Sequence, residues 1–328
     1  MKRVKIIGKG SYVPEKVLTN FDIEKIVDTS DEWIRTRTGM SERHIASDRD
    51  KASDLAVKAA NRALKDSGIA PDEIDLILVA TATPDMFFPS TACFVQSSIG
   101  AGRSAAFDIS AACSGYIYAL SVAENYIKSD KYNTVLLIAS EVFSKYIDWG
   151  DRNTCVLFGD GAAATILRGF KGSRMDGIIS THIYSNGRYA NLLYLRGGGS
   201  SCPPTHESIN HKLHFLKMKG NSLFKIAIKN MSEVAREALS SNGYKISDVD
   251  ILITNQANKR IIDAVAENLK IPQEKIFINI EKYGNTSAAS IPLALDEALK
   301  VGRIKKGDLI LMVAFGGGLT WGSALIRW

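Results

Sequence analysis

Four segments of this chain, Leu76–Ala80, Val135–Ala139, Ile251–Ile253 and Leu309–Ala314, are apolar at every position rather than at every second one. Unbroken apolar runs of this length predict central β-strands covered on both faces. Between them the period changes. Leu55, Ala59, Ala63 and Leu64 recur at helical spacing, as do Ile226, Met231, Val234, Ala238 and Leu239. The opening Met1–Gly8 stretch reads as a first strand, and Gly197–Pro204 as a mobile surface loop. Strands alternating with helices predict α/β layers.

The pattern repeats. Ala63-Leu64-Lys65-Asp66-Ser67-Gly68 is echoed 175 positions later by Ala238-Leu239-Ser240-Ser241-Asn242-Gly243, and Asp75-Leu76-Ile77-Leu78 by Asp250-Ile251-Leu252-Ile253. The same offset relates Ala119-Leu120 to Ala294-Leu295 and Val135–Ile138 to Ile310–Val313. Each half therefore reads helix, turn, strand, loop, strand, helix, turn, strand. Two such units predict a duplicated five-layered α/β/α/β/α sandwich, divided at 1–172 and 173–328, with the active centre on the seam.

Composition changes this picture little. Of 328 residues, 45% are hydrophobic and 23% charged, as expected of a globular chain. No apolar run is long enough for a membrane span, and no signal-peptide core follows Met1, so a cytoplasmic protein without membrane association is expected. The net charge of +6 is spread along the chain, which argues against nucleic acid as a partner. Cys93, Cys113, Cys155 and Cys202 are too widely spaced for a disulfide framework or a zinc site, so no metal is expected. Gly8-Lys9-Gly10 fails the dinucleotide fingerprint, since Val13 stands at its third glycine position, and Gly197-Gly198-Gly199 lacks the strand and helix of a phosphate loop.

The candidate chemistry lies in Phe107-Asp108-Ile109-Ser110-Ala111-Ala112-Cys113-Ser114-Gly115. A strand-like run turns through small residues and launches a helix carrying Tyr116, Ile117, Leu120 and Ile127. Free backbone N–H groups and the positive end of the helix dipole converge at such a junction. They favour thiolate over thiol, so Cys113 is a candidate nucleophile as well as a candidate small core residue.

With Phe158-Gly159-Asp160-Gly161-Ala162, Asn255-Gln256-Ala257-Asn258, Gly284–Ser290 and Ala314–Gly322 in this order, the whole chain resembles the β-ketoacyl-acyl-carrier-protein synthase III enzymes, condensing enzymes of thiolase-like fold. The resemblance implies an acyltransferase without a cofactor. Acyl-CoA acylates Cys113, and malonyl-acyl-carrier protein then loses CO₂ and attacks the thioester, which initiates fatty-acid synthesis. It also implies a homodimer, with Phe88 closing the acyl pocket of the other subunit. The Cys113 and Gly317 amides would form the oxyanion hole, and Asn285 would hydrogen-bond the malonyl thioester. Trp33 and Arg152 match a pair that sandwiches the CoA adenine, and Arg37 a phosphate contact. Thr29, Met218, Gly220, Asn221, Phe224, Ala257, Asn258 and Phe315 match the remaining CoA-binding positions. Lys225, Lys259 and Arg260 match the face that docks the acidic carrier.

One residue departs from this pattern. Asn255 stands where the family has its catalytic histidine. An amide still donates a hydrogen bond but neither accepts a proton nor carries charge near neutrality. The expectation is a chain that loads an acyl group and condenses slowly. Asn255 reads either as a replacement introduced into an ordinary enzyme or as the mark of a diverged, non-decarboxylating acyltransferase. A non-catalytic partner subunit is a third reading, opposed by the retained Cys113, Asn285 and Gly317.

Overall fold

The computed structural model describes residues 2–173 and 175–328. Two sheets carry the fold. The first has five strands in the order Lys2–Tyr12, Gly161–Lys171, Thr134–Glu141, Leu76–Ala80, Ala105–Ile109. The second has four, in the order Gly177–Ser185, Thr320–Arg327, Leu309–Gly316, Ile251–Thr254. In each sheet the apolar strand that follows the inner helix pairs in parallel with one neighbour and antiparallel with the other.

Every residue of the Leu76–Ala80 strand is buried because its two faces enter different cores. Leu76, Leu78 and Ala80 face inward, where the helices Gly115–Lys128 and Ser290–Lys300 lie between the sheets and pack through Ile117, Leu120, Ile291 and Leu295. Ile77 and Val79 face outward against the helices Ala52–Ser67 and Thr91–Ile99. The second sheet behaves alike, with Leu252, Leu311 and Val313 packed outward on the helices Gly220–Ser240 and Lys259–Leu269. This is the five-layered α/β arrangement predicted from the repeat, and the fold that the family resemblance implies. A fourth cluster, built on Ile34, Phe143, Val156, Phe158 and Leu216, roofs the region where the inner helices begin.

The constant offset does not hold throughout: Gly161–Lys171, which pairs with Thr134–Glu141, has its counterpart in Thr320–Arg327, which pairs with Leu309–Gly316, well short of 175 positions on. By the 175-residue offset, 280–284 should mirror the edge strand Ala105–Ile109, yet Ile280–Tyr283 forms a short helix. The edge place is taken a few positions earlier instead, where Leu252 and Ile276 form a parallel bridge and the Phe277 N–H donates to Leu252 O at 3.0 Å; Glu281 and Lys282 lie beyond it, ion-paired with Arg35 and Glu297. Among the described residues no helix is long and apolar enough to cross a membrane.

Candidate active site

Two short turns meet between the sheets. One, Ala112–Ser114, precedes the inner helix Gly115–Lys128; the other, Ser287–Ala289, precedes the inner helix Ser290–Lys300. Each opens on a residue in left-handed backbone conformation, Ala112 at φ +46° and Ser287 at φ +50°. Left-handed backbone is uncommon for residues with a side chain and marks a position held by its surroundings. The conformation tips Cys113 toward the seam, where it is only 6% exposed, and the Ser287 hydroxyl lies 3.3 Å from the Cys113 sulfur.

Asn285 sits two residues before Ser287. Its Oδ1 accepts the Ser287 amide at 2.9 Å, which leaves its NH₂ group for the cleft that it lines. Its backbone is clamped by Leu157 and Gly159, through Asn285 N–H to Leu157 O at 2.8 Å and Gly159 N–H to Asn285 O at 3.1 Å. Gly284 makes that clamp possible, since at φ +63° a Cβ there would stand 2.9 Å from Leu157 O. The Leu157 segment is held in turn by the buried Arg43, whose Nη2 donates to Val156 O at 2.6 Å.

Asn255 follows the end of the Ile251–Thr254 strand. Its Oδ1 accepts the Ser290 hydroxyl at 2.5 Å, and this fixes which way the amide faces. The NH₂ group donates to Phe315 O at 3.3 Å and also supports the Cys113 sulfur. From the next strand end, Gly316 approaches so closely that an added Cβ would be 2.7 Å from Cys113 N and 3.0 Å from Ser114 N. The glycine-rich bend thus lies against the backbone of Cys113, and an added Cβ at Gly317 would touch Ala112 at 3.6 Å.

The charge state of Cys113 differs from the sequence-based expectation. Burial pushes its thiol up to about 11; hydrogen bonding with Ser287 and Asn255 opposes the shift, and the Glu141 carboxylate adds to it. Loss of water around sulfur outweighs the field at the helix start, so the resting group at pH 7 is the neutral thiol.

A cleft of about 580 Å³ descends from the surface to Cys113, Asn255 and Asn285. Trp33, Arg37 and Arg152 line its outer part, and Met218, Gly220, Asn221, Phe224, Ala257 and Phe315 also border it. Asn258 lines it too, though its Oδ1 caps the helix Lys259–Leu269 and its Nδ2 is tied to Arg37 O at 3.1 Å. Arg152 lies directly over the Trp33 ring at 4.9 Å, its Nη1 on Asp28 O at 2.9 Å, so the pair is in contact rather than parted around a gap. Lys225 and Arg260 reach the cleft, the latter over Phe224 at 5.4 Å.

Four expected residues lie off the cleft. Lys259 is ion-paired with Asp263 at 2.6 Å, and the Thr29 hydroxyl is buried without a partner. Gly317, half-buried, is not among the residues lining the cleft, and Phe88, 85% exposed beside Met86 and Phe87, projects from the loop after Ala80. Among the described residues no cluster of metal-ligating side chains occurs.

Two residues at the centre escaped the sequence reading. Ser287 lay unremarked inside the Gly284–Ser290 motif. Glu141, fully buried, closes the Thr134–Glu141 strand and lies 3.1 Å from Ser287 Oγ. Its only signal in sequence is an acid at the end of an otherwise apolar run.

Comparison with known proteins agrees with this arrangement. Family models described as 3-oxoacyl-[acyl-carrier-protein] synthase III and its C-terminal region match residues 107–187 and 239–328. The chain is 52% identical over 323 residues to a β-ketoacyl-[acyl-carrier-protein] synthase III of Caldanaerobacter subterraneus, covering 98% of this chain and 97% of the relative. It is similar to the crystal structure of 3-oxoacyl-[acyl-carrier-protein] synthase III from Aquifex aeolicus, with a TM-score of 0.91, 52% identity, and coverage of 99% of this chain and 100% of that one. The Thermus thermophilus structure gives a TM-score of 0.91 at 41% identity, covering 99% of each chain.

Proposed function

Because the chain belongs to the 3-oxoacyl-[acyl-carrier-protein] synthase III family of condensing acyltransferases, we propose that Cys113 is its acyl carrier and that Asn285 and Asn255 face the second substrate. The supporting observation is convergence. The Cys113 sulfur and the two amides share the floor of one cleft, and the outer part of that cleft is lined by an indole and two guanidinium groups.

An acyl-CoA would enter with its nucleotide at Trp33, Arg37 and Arg152, and its thioester at Cys113. Sulfur attacks the acyl carbon, and the oxyanion that forms is met by the Cys113 and Gly317 amides. Collapse expels CoA and leaves the acyl group on Cys113. Malonyl-acyl-carrier protein then follows, approaching past Lys225 and Arg260. Loss of CO₂ leaves an enolate whose oxygen takes the Asn285 NH₂ group, and its carbon attacks the Cys113 thioester. No resident cofactor enters either half-reaction.

Asn255 limits the second half. Its amide offers a donor but no charge, and part of that donor is already spent on Phe315 O. A missing transition-state donor of this kind costs about 3–4 kcal/mol, or about 10²–10³ in rate. We therefore infer ready acyl loading and slow condensation. Incubation with acetyl-CoA followed by intact mass should show one acetyl group on Cys113, and Asn255→His should raise malonyl decarboxylation and condensation together by about 10²–10³. Absence of the adduct would refute the assignment of Cys113; no gain from the histidine would favour a diverged acyltransferase. The exposed Met86, Phe87 and Phe88 support a homodimer that covers them, and a cytoplasmic setting suits both substrates.

A further inference from the structure

With asparagine at position 255, no group among the described residues in direct contact with the Cys113 sulfur accepts a proton near neutrality and keeps it, yet a neutral thiol must lose one as it attacks. We infer that Glu141, acting through the hydroxyl of Ser287, is the proton acceptor for Cys113. This rests on the reading of Cys113 as the nucleophile.

Hydrogen-bond accounting carries the inference. Ser287 Oγ lies 3.3 Å from the Cys113 sulfur and 3.1 Å from Glu141 Oε1, and a hydroxyl has a single proton. One arrangement satisfies all three groups while the thiol is neutral: the Cys113 S–H donates to Ser287 Oγ, and the Ser287 O–H donates to Glu141 Oε1. The second carboxylate oxygen is already occupied. Oε2 accepts Thr83 Oγ1 at 2.7 Å and the Ala82 amide at 3.1 Å, so the carboxyl is aimed with Oε1 toward Ser287. The left-handed backbone at Ser287 holds the hydroxyl in this line.

Among the described residues no lysine, arginine or histidine pairs with Glu141. Burial pushes it up to about 7, so it exchanges a proton near neutrality. The titratable groups facing it are the Cys113 thiol and the Tyr146 phenol, both raised and both neutral at pH 7.

The step balances. As sulfur bonds to the acyl carbon, the S–H proton moves to Ser287 Oγ and the serine proton moves to Oε1. The carbon–sulfur bond to CoA then breaks, CoA departs as thiolate, and the proton on Glu141 returns along the same path to give CoA thiol. No oxidant or further reactant is needed. Ser287 touches the reacting atom; Glu141 acts through it.

The test is alkylation of Cys113 by iodoacetamide, quantified on its own peptide because Cys93 and Cys202 are partly accessible. In the parent, the rate should rise to about pH 7 and then level, because the base is the carboxylate. Glu141→Gln keeps the shape and removes the base. It should be about 100-fold slower at pH 7 and climb about tenfold per pH unit, as free thiolate accumulates. Ser287→Ala should give the same profile, and the double variant should be no slower than either single one. A role in electrostatics alone predicts the opposite sign, since removing the carboxylate charge would speed Cys113 at pH 7. A parent profile that climbs steadily to pH 9, or variants as reactive as the parent at pH 7, would overturn the relay. Should Glu141→Gln fail to fold, Ser287→Ala decides alone. Alkylation needs no CoA, so a parent with the predicted profile that takes no acetyl group from acetyl-CoA would refute acyl loading and leave the relay supported.

Discussion

The turns Ala112–Ser114 and Ser287–Ala289 are the same object used twice. The 175-residue offset maps Ala112 onto Ser287, both left-handed. It maps the inner helix starting at Gly115 onto the one starting at Ser290, and the strand end Glu141 onto the strand end Gly316. Each strand end serves the turn of the opposite half. Gly316 abuts Cys113, whereas Glu141 reaches Ser287. At equivalent places one half presents bare backbone to the nucleophile, and the other presents an acid to the hydroxyl beside it. Equal scaffolds with unequal side chains let one turn carry the sulfur while the other handles its proton.

The comparison breaks most severely at Gly316. Gly316→Ala forces a Cβ against Cys113 N and should cut self-acylation by about 10²–10³, about 3–4 kcal/mol of transition-state stabilisation, in a single-turnover assay with labelled acetyl-CoA. The scaffold should prove symmetric by contrast. Leu120 and Leu295 are equivalent, fully buried and on facing helices, so Leu120→Ala and Leu295→Ala should each cost about 3 kcal/mol in urea unfolding, with similar slopes.

Glu141 offers a third measurement, in which pH sets the sign. A carboxyl raised from 4.5 to about 7 binds its proton more tightly folded than unfolded. Its contribution to stability is full below about pH 4.5 and is lost as pH rises through 7. Glu141→Gln should therefore be more stable than the parent at pH 8, by about 3 kcal/mol in urea unfolding, and match it at pH 4. The smallest effect is expected at Ala112→Gly, which relieves left-handed strain but frees the unfolded chain, for a net gain of about 0.5–1 kcal/mol in thermal unfolding.

Much of this architecture was legible because apolar runs and the constant offset report directly on buried strands and their pairing. The offset failed at 280–284, because the edge place beside Ile251–Thr254 is taken a few positions earlier, at Ile276. Cys113, Asn255 and Asn285 were legible through their motifs, and the chain brings them together. The state of the thiol was not legible. A helix start can be read from spacing, but the degree of burial that opposes it depends on residues brought in from 255, 287 and 316. Glu141 was hidden for a related reason: its partner is 146 positions away, and only the crossing of the two halves joins them.

The contact between Trp33 and Arg152 bears on how the cycle ends. A flat heterocycle arriving there exchanges one stack for another and must release the tie to Asp28 O. Its net gain is the difference between two similar energies rather than their sum. With the CoA nucleotide proposed to arrive there, spent CoA would be held loosely once its acyl group is gone.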